Sequence, residues 1–111
     1  MISGISIPLC DELTLECKEG EMLPPWAVKL EQEVKEAVEE QMHFLNAKER
    51  VNVEIKLYVN HLPPEDVRIL LETAIQNGIM YVMDKYYKEV WSLHCSYNFF
   101  NKEKRVEIEI F

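Results

Sequence analysis

Glycine is scarce in this chain, with three in 111 residues. Phosphate-cradling loops and nucleophile elbows are built on several glycines at fixed spacing, and no GxGxxG, Walker or GxSxG pattern is present. Cysteine is equally sparse. Cys10, Cys17 and Cys95 form an odd set without a CxxC pair. Reduced thiols fit that count better than a disulfide framework, and a Cys10–Cys17 bridge across a hairpin is the one pairing the spacing leaves open. With His43, His61 and His94 added, no zinc-like spacing emerges. No window approaches the roughly 18 consecutive apolar residues that a bilayer span requires. The opening "MISGISIPLCDE" has no basic n-region and no long apolar h-region, so a secretory signal is not expected and the chain is read as cytoplasmic.

Basic residues are in short supply as well. Twelve Lys and Arg stand against twenty Asp and Glu, for a formal charge of −8. Residues 11–50 carry eleven acids and five bases, whereas residues 51–111 carry nine and seven. Each phosphate contact needs a cation, so direct nucleic-acid binding is disfavoured. An acidic surface serves solubility or a partner protein with a basic surface.

What is present is apolar substance in regular patterns. Hydrophobic residues make up 48% of the chain, enough for a packed interior, and the length suits one domain over residues 1–111. Ile5, Ile7 and Leu9 alternate, as do Leu13, Leu15 and Cys17, which predicts two short strands, the first demoted to a sheet edge by Pro8. From Pro25 the period becomes helical, with Trp26, Leu30, Val34, Ala37, Val38 and Leu45 forming a stripe. Glutamates dominate the opposite side of that helix. Among them Glu33, Glu36 and Glu40 recur at three- and four-residue intervals, so they share one face. "VNVEIKLYV" is a strand with Val51, Val53, Ile55, Leu57 and Val59 on one side.

A second helix is predicted from Pro64, with Val67, Leu70, Leu71, Ala74 and Ile75 inward, as one long helix weakened or broken at Gly78 and with Ile79, Val82, Met83, Tyr86 and Val90 aligned beyond it. Two strands close the chain. Trp91, Leu93, Cys95, Tyr97 and Phe99 share one parity, Val106, Ile108 and Ile110 another, and the charged turn "NKEKR" joins them. Clean alternation gives every strand one wet face. The expected architecture is α+β: a two-layer sandwich of a mostly antiparallel sheet with both helices on one face. Ile69, Met80, Tyr81, Met83, Tyr87 and Phe100 exceed what such a core hides, which points to a homodimer through the second helix or a sheet edge.

Glu65 and Asp66 open the second helix in "NHLPPEDVRILLE". Acids in a first turn complement the helix dipole by roughly 0.3–1 kcal/mol each, with no chemistry implied. The order of segments from residue 26 onward nevertheless resembles the RusA-type Holliday-junction resolvases, in which a helix, a strand, an acid-bearing loop, a helix and two closing strands follow one another. That resemblance implies a Mg²⁺-dependent endonuclease acting on branched DNA, with Glu65, Asp66 and Asp84 as metal ligands. The family's DxDN run is absent, "ILLET" stands where a helical lysine belongs, and "NHLPP" replaces an arginine-rich loop.

Other patterns have plain readings. Glu54-Ile-Lys56 matches half of a two-carboxylate nuclease site, but its simpler reading is a surface ion pair on a strand. His94 and Cys95 are strand neighbours and point to opposite faces, so they cannot form a dyad with each other. The expectation is a non-catalytic, cofactor-free binding protein of the kind that includes inhibitors and phage-type modulators, with Glu33, Glu36 and Glu40 recognising a protein partner.

Overall fold

A computed structural model describes residues 1–9, 24–46, 48–99 and 103–111. The strand expected over Leu13, Leu15 and Cys17, the Cys10–Cys17 pairing and Phe100 lie outside them. The described elements are β1 (Ile2–Pro8), α1 (Pro25–Glu40), a 3₁₀ turn (Met42–Leu45), β2 (Arg50–Tyr58), α2 (Glu65–Lys85), β3 (Glu89–Asn98) and β4 (Arg105–Ile110). The strands form one sheet in the order β1-β4-β2-β3. β4 pairs antiparallel with both β1 and β2, and β3 lies parallel to β2. The fold is the expected α+β sandwich.

Alternation sets the layering. Val51, Val53, Ile55 and Leu57 of β2 and Val106, Ile108 and Ile110 of β4 are buried, while the residues between them are half-buried on the open face. In β1 the inward set includes Ile2, whose spacing of three from Ile5 breaks the period. A bulge at Ser3-Gly4 corrects it, with Gly4 at φ +82°, a left-handed backbone that suits glycine.

Gly78 does not break α2. The helix runs through it for 21 residues, and Gly78 is buried against α1. A Cβ there would stand 2.8 Å from Val34 Cγ1 and 2.9 Å from the Glu31 carbonyl oxygen. The glycine is the point where the two helix backbones approach, and Val34 fits into the space it leaves. The helix stops later, at Tyr86. Tyr87 N–H donates to the Asp84 carbonyl (3.2 Å) and Lys88 N–H to that of Met83 (2.8 Å), the paired bonds of a Schellman end. Tyr87 holds the left-handed position at φ 58° and is 92% exposed.

α1 ends at Glu40, yet its stripe continues through the 3₁₀ turn, where Met42 and Leu45 are buried. Strand β3 departs from strict parity. A bulge opposite Val51/Asn52 leaves Val90 against the core, and Trp91 stays 61% exposed with the Arg50 guanidinium 4.6 Å from its ring centroid. The two closing strands are not neighbours either, since they flank β2 on opposite sides. Of the apolar surplus, Met83 is buried while Ile69, Tyr81 and Tyr87 are exposed.

Candidate functional site

The helical period sorts the acids of α1 into two groups. Those that face α2 are neutralised within the molecule. Glu31 pairs with Lys35 at 3.7 Å, and the Lys35 ammonium lies 4.3 Å from the Tyr81 ring centroid. Glu39 accepts hydrogen bonds from Lys85 and from Tyr86 Oη (3.3 Å), tying α1 to the end of α2. The Lys85 hydrogen bond holds the Glu39 carboxyl below the usual carboxylate range, and the same bond raises the lysine.

The second group faces solvent. Glu33 has Lys29 at 3.9 Å, an exposed i,i+4 pair. Glu36 accepts a 3.1 Å hydrogen bond from Gln32 Nε2 and has no cation within ion-pair reach among the described residues. Glu40 is exposed and has no side-chain partner among them. Glu33, Glu36 and Glu40 thus lie along one ridge of a 16-residue helix, Glu33 half-buried at its margin and Glu36 and Glu40 exposed, while Leu30, Val34 and Val38 are buried.

The second set of acids is not brought together. Glu65 and Asp66 are exposed at the start of α2, and Asp84 is exposed at its last turn. Eighteen residues of helix place Asp66 and Asp84 about 27 Å apart. Asp66 Oδ1 accepts the Val67 N–H at 3.0 Å, one of the amides a helix start leaves unpaired. Among the described residues no group of three or more His, Cys, Asp and Glu is placed to hold a metal ion. A Mg²⁺ at Glu65 and Asp66 would need its third carboxylate from somewhere other than Asp84.

The open sheet face carries Glu54 and Lys56. Glu54 is flanked by Glu109 of β4 and His94 of β3, and Lys56 by Glu107. Beside them Tyr58 Oη donates to Glu107 (3.1 Å), Arg105 donates to the same carboxylate (3.1 Å), and its guanidinium stacks 4.3 Å from the Tyr58 ring centroid. These cross-strand pairs account for the polar face as a knit of side chains.

On the other face of β3, Cys95 and Tyr97 are half-buried beside α2. Tyr97 Oη donates to Glu72 at 3.1 Å. Burial, with the Glu72 charge second, pushes the Cys95 thiol up to about 12 and raises the Tyr97 phenol. Such a thiol is a poor nucleophile. His94 lies on the opposite face, as strand alternation requires. Arg68, one turn ahead of Glu72, keeps a buried Nε with no acceptor among the described residues. A cleft of about 590 Å³ opens between Ser6, Pro8, Leu9, Asn60, Glu103, Lys104 and Arg105. Among the residues that line it, Glu103 is the one carboxylate.

Sequence reasoning missed the Arg50–Trp91 stack and the Glu72–Tyr97 bond. Both follow from β3 lying parallel to β2. The signal was available, because a 21-residue helix between two strands is the usual means of making them parallel. No family model matches the chain, and neither the curated proteins nor the solved structures give a match.

Proposed function

We propose that this chain is a non-catalytic binding domain that presents Glu33, Glu36 and Glu40 to a basic surface on another protein. The observation that carries the reading is the sorting of the α1 acids. Glu31 and Glu39 are neutralised by Lys35 and Lys85, whereas Glu36 and Glu40 are exposed with no cation paired to them among the described residues. Two carboxylates one turn apart, about 5–6 Å between Cβ atoms, match a pair of lysines or arginines. The Lys29–Glu33 pair is exposed, contributes about 0–1 kcal/mol, and readily exchanges its lysine for a partner's cation. A rigid helix holds the ridge, so little ordering is lost on binding. The separation of Asp84 from Glu65 and Asp66 supports the non-catalytic part of the reading.

Charge on such a ridge acts first on encounter rate. The test compares the parent with the triple variant Glu33→Lys, Glu36→Lys and Glu40→Lys, both immobilised and offered a cell lysate. Proteins held by the parent at low salt, released by salt and absent from the variant support the ridge as the binding surface. Equal capture by parent and variant refutes it. Circular dichroism verifies that the variant is folded.

A further inference from the structure

Of the six asparagines, Asn77 alone precedes a glycine. Asparagine is among the thermolabile residues, and a glycine after it removes the side chain that elsewhere screens the next main-chain nitrogen. An Asn-Gly pair with a free backbone closes on itself. The Gly78 nitrogen bonds to Cγ of Asn77, the Cγ–Nδ2 bond breaks, and Nδ2 leaves as ammonia with the proton that the Gly78 amide gives up. Water then opens the five-membered imide at either carbonyl. Attack at Cγ leaves an ordinary aspartate at position 77. Attack at the main-chain carbon leaves isoaspartate, whose chain runs on through Cβ and Cγ. One water is consumed and one ammonia released, with no change of oxidation state.

The fold holds this pair shut although its side chain is open. Asn77 is exposed and has no side-chain partner among the described residues, so its carboxamide meets water freely. What is withheld is the main chain. Asn77 and Gly78 lie deep inside the 21 residues of α2, away from the ends that fray. There ψ stays at about −42°, and the helical ladder commits the Gly78 N–H to the Ala74 carbonyl. Closing the imide needs that bond broken and the backbone turned out of the helical region. Gly78 cannot turn alone, because it is buried against α1, with Val34 Cβ and the Glu31 carbonyl oxygen both 2.9 Å from where its own Cβ would stand. Helix α2 must come away from α1 before the ring can form.

We propose that Asn77-Gly78 is a deamidation site which the α1–α2 contact keeps closed, and which makes prolonged opening of that contact permanent. The permanence follows from the isoaspartyl product. It puts one more carbon into the main chain between Ala74 and Ile75 on one side and Ile79, Val82 and Met83 on the other, all of them buried. The ladder cannot cross that insertion in register, and the second half of the apolar stripe is turned away from the first. Gly78 is displaced from the space that Val34 fills. The imide is no better, since its nitrogen has no hydrogen to donate to Ala74. Aspartate at position 77 adds only an exposed charge in mid-helix. A chain that opens briefly therefore returns, and one that stays open long enough to form isoaspartate does not. None of Glu33, Glu36 and Glu40 takes part, so this inference stands or falls separately from the proposed binding function.

Peptide mapping with electron-transfer fragmentation, which separates isoaspartate from aspartate, tests it. The full chain is held at about pH 8 with a reductant, in native buffer and in guanidinium chloride. In denaturant, isoaspartate is expected at residue 77 ahead of every other asparagine. In native buffer the conversion is expected to be at least about a hundredfold slower, since folded domains hold open fractions on the order of 10⁻³ or less. Samples taken from denaturant at intervals and refolded should lose their cooperative melting transition in step with isoaspartate. Asn77→Gln, which cannot close the five-membered ring, should keep it throughout, and Asn77→Asp should refold as the fresh parent does. Five results each overturn the proposal: no isoaspartate at residue 77 in denaturant, native conversion less than about a hundredfold slower, isoaspartyl chains that regain the parent's Tm, equal loss of refolding by parent and Asn77→Gln, or an Asn77→Asp variant that does not refold.

Discussion

Gly78→Ala sets two effects of known size against each other. In an exposed helix interior, alanine is favoured over glycine by about 0.8–1.0 kcal/mol, because the unfolded chain loses freedom it would otherwise have to give up. At this position the added methyl meets Val34 Cγ1 at 2.8 Å, Val34 Cβ at 2.9 Å and the Glu31 carbonyl oxygen at 2.9 Å. Rotating Val34 moves only the first of these. The other two are fixed to the α1 backbone, so the helices must part by roughly 0.7–1 Å to reach ordinary carbon contact distances of about 3.5–4.0 Å. Overpacking of this kind costs about 1–3 kcal/mol, which exceeds the propensity gain. The expected net loss is about 1 kcal/mol, a fall in Tm of about 4–6 °C for a domain of this size. Asn77→Ala is the control, since Asn77 is exposed on the same helix and has no side-chain partner among the described residues. It should raise Tm slightly. Thermal unfolding followed by circular dichroism measures both. Were Gly78→Ala to melt above the parent, the close approach of α1 and α2 at this glycine would be wrong.

Two further predictions concern the end of α2 and the edge strand. Tyr87→Gly is expected to stabilise by about 0.5–1 kcal/mol, because a left-handed backbone at φ 58° strains a side chain and not a glycine. A fall in the denaturant midpoint would show that Tyr87 makes contacts worth more than that strain. Cys95, with its thiol pushed up to about 12 by burial, should hold roughly a thousand times less thiolate at pH 8 than an unhindered cysteine. Alkylation by iodoacetamide, resolved by peptide mass spectrometry, should therefore be orders of magnitude slower at Cys95 in the native protein than in the denatured one. Rates within tenfold of each other would refute the buried placement.

The parts of the fold that were legible are those written in a single period. The stripe of α1, the alternation of β2 and β4, and the shared face of Glu33, Glu36 and Glu40 need nothing beyond helix and strand geometry. The errors fall where a local signal served a distant contact. Gly78 looks like a helix stop, yet its purpose is set by Val34, more than forty residues earlier, and the true stop carries a tyrosine. Trp91 follows the parity of Leu93 until a bulge against β2 removes it. The placement of β4 could not be read from the short "NKEKR" connection, which suits a hairpin. Only the demand of β2 for a partner on each side decides it. Resemblance of layout alone groups Asp84 with Glu65 and Asp66, and the unbroken helix places it at the other end of α2.

The position of β4 also sets a schedule for folding. Ile2 pairs with Ile110 and Ile7 with Val106, so among the described strands the first has no neighbour until the last one exists. At synthesis rates of roughly 5–20 residues per second, β1 leaves the ribosome about 5–20 s before β4 follows it. During that interval β2, α2 and β3 can assemble on one another, while the Ile-rich opening strand waits with its apolar face uncovered. Closure of the sheet is then a single late event that joins both ends of the described chain, and it is the step at which a chaperone that holds apolar strands would have most to do.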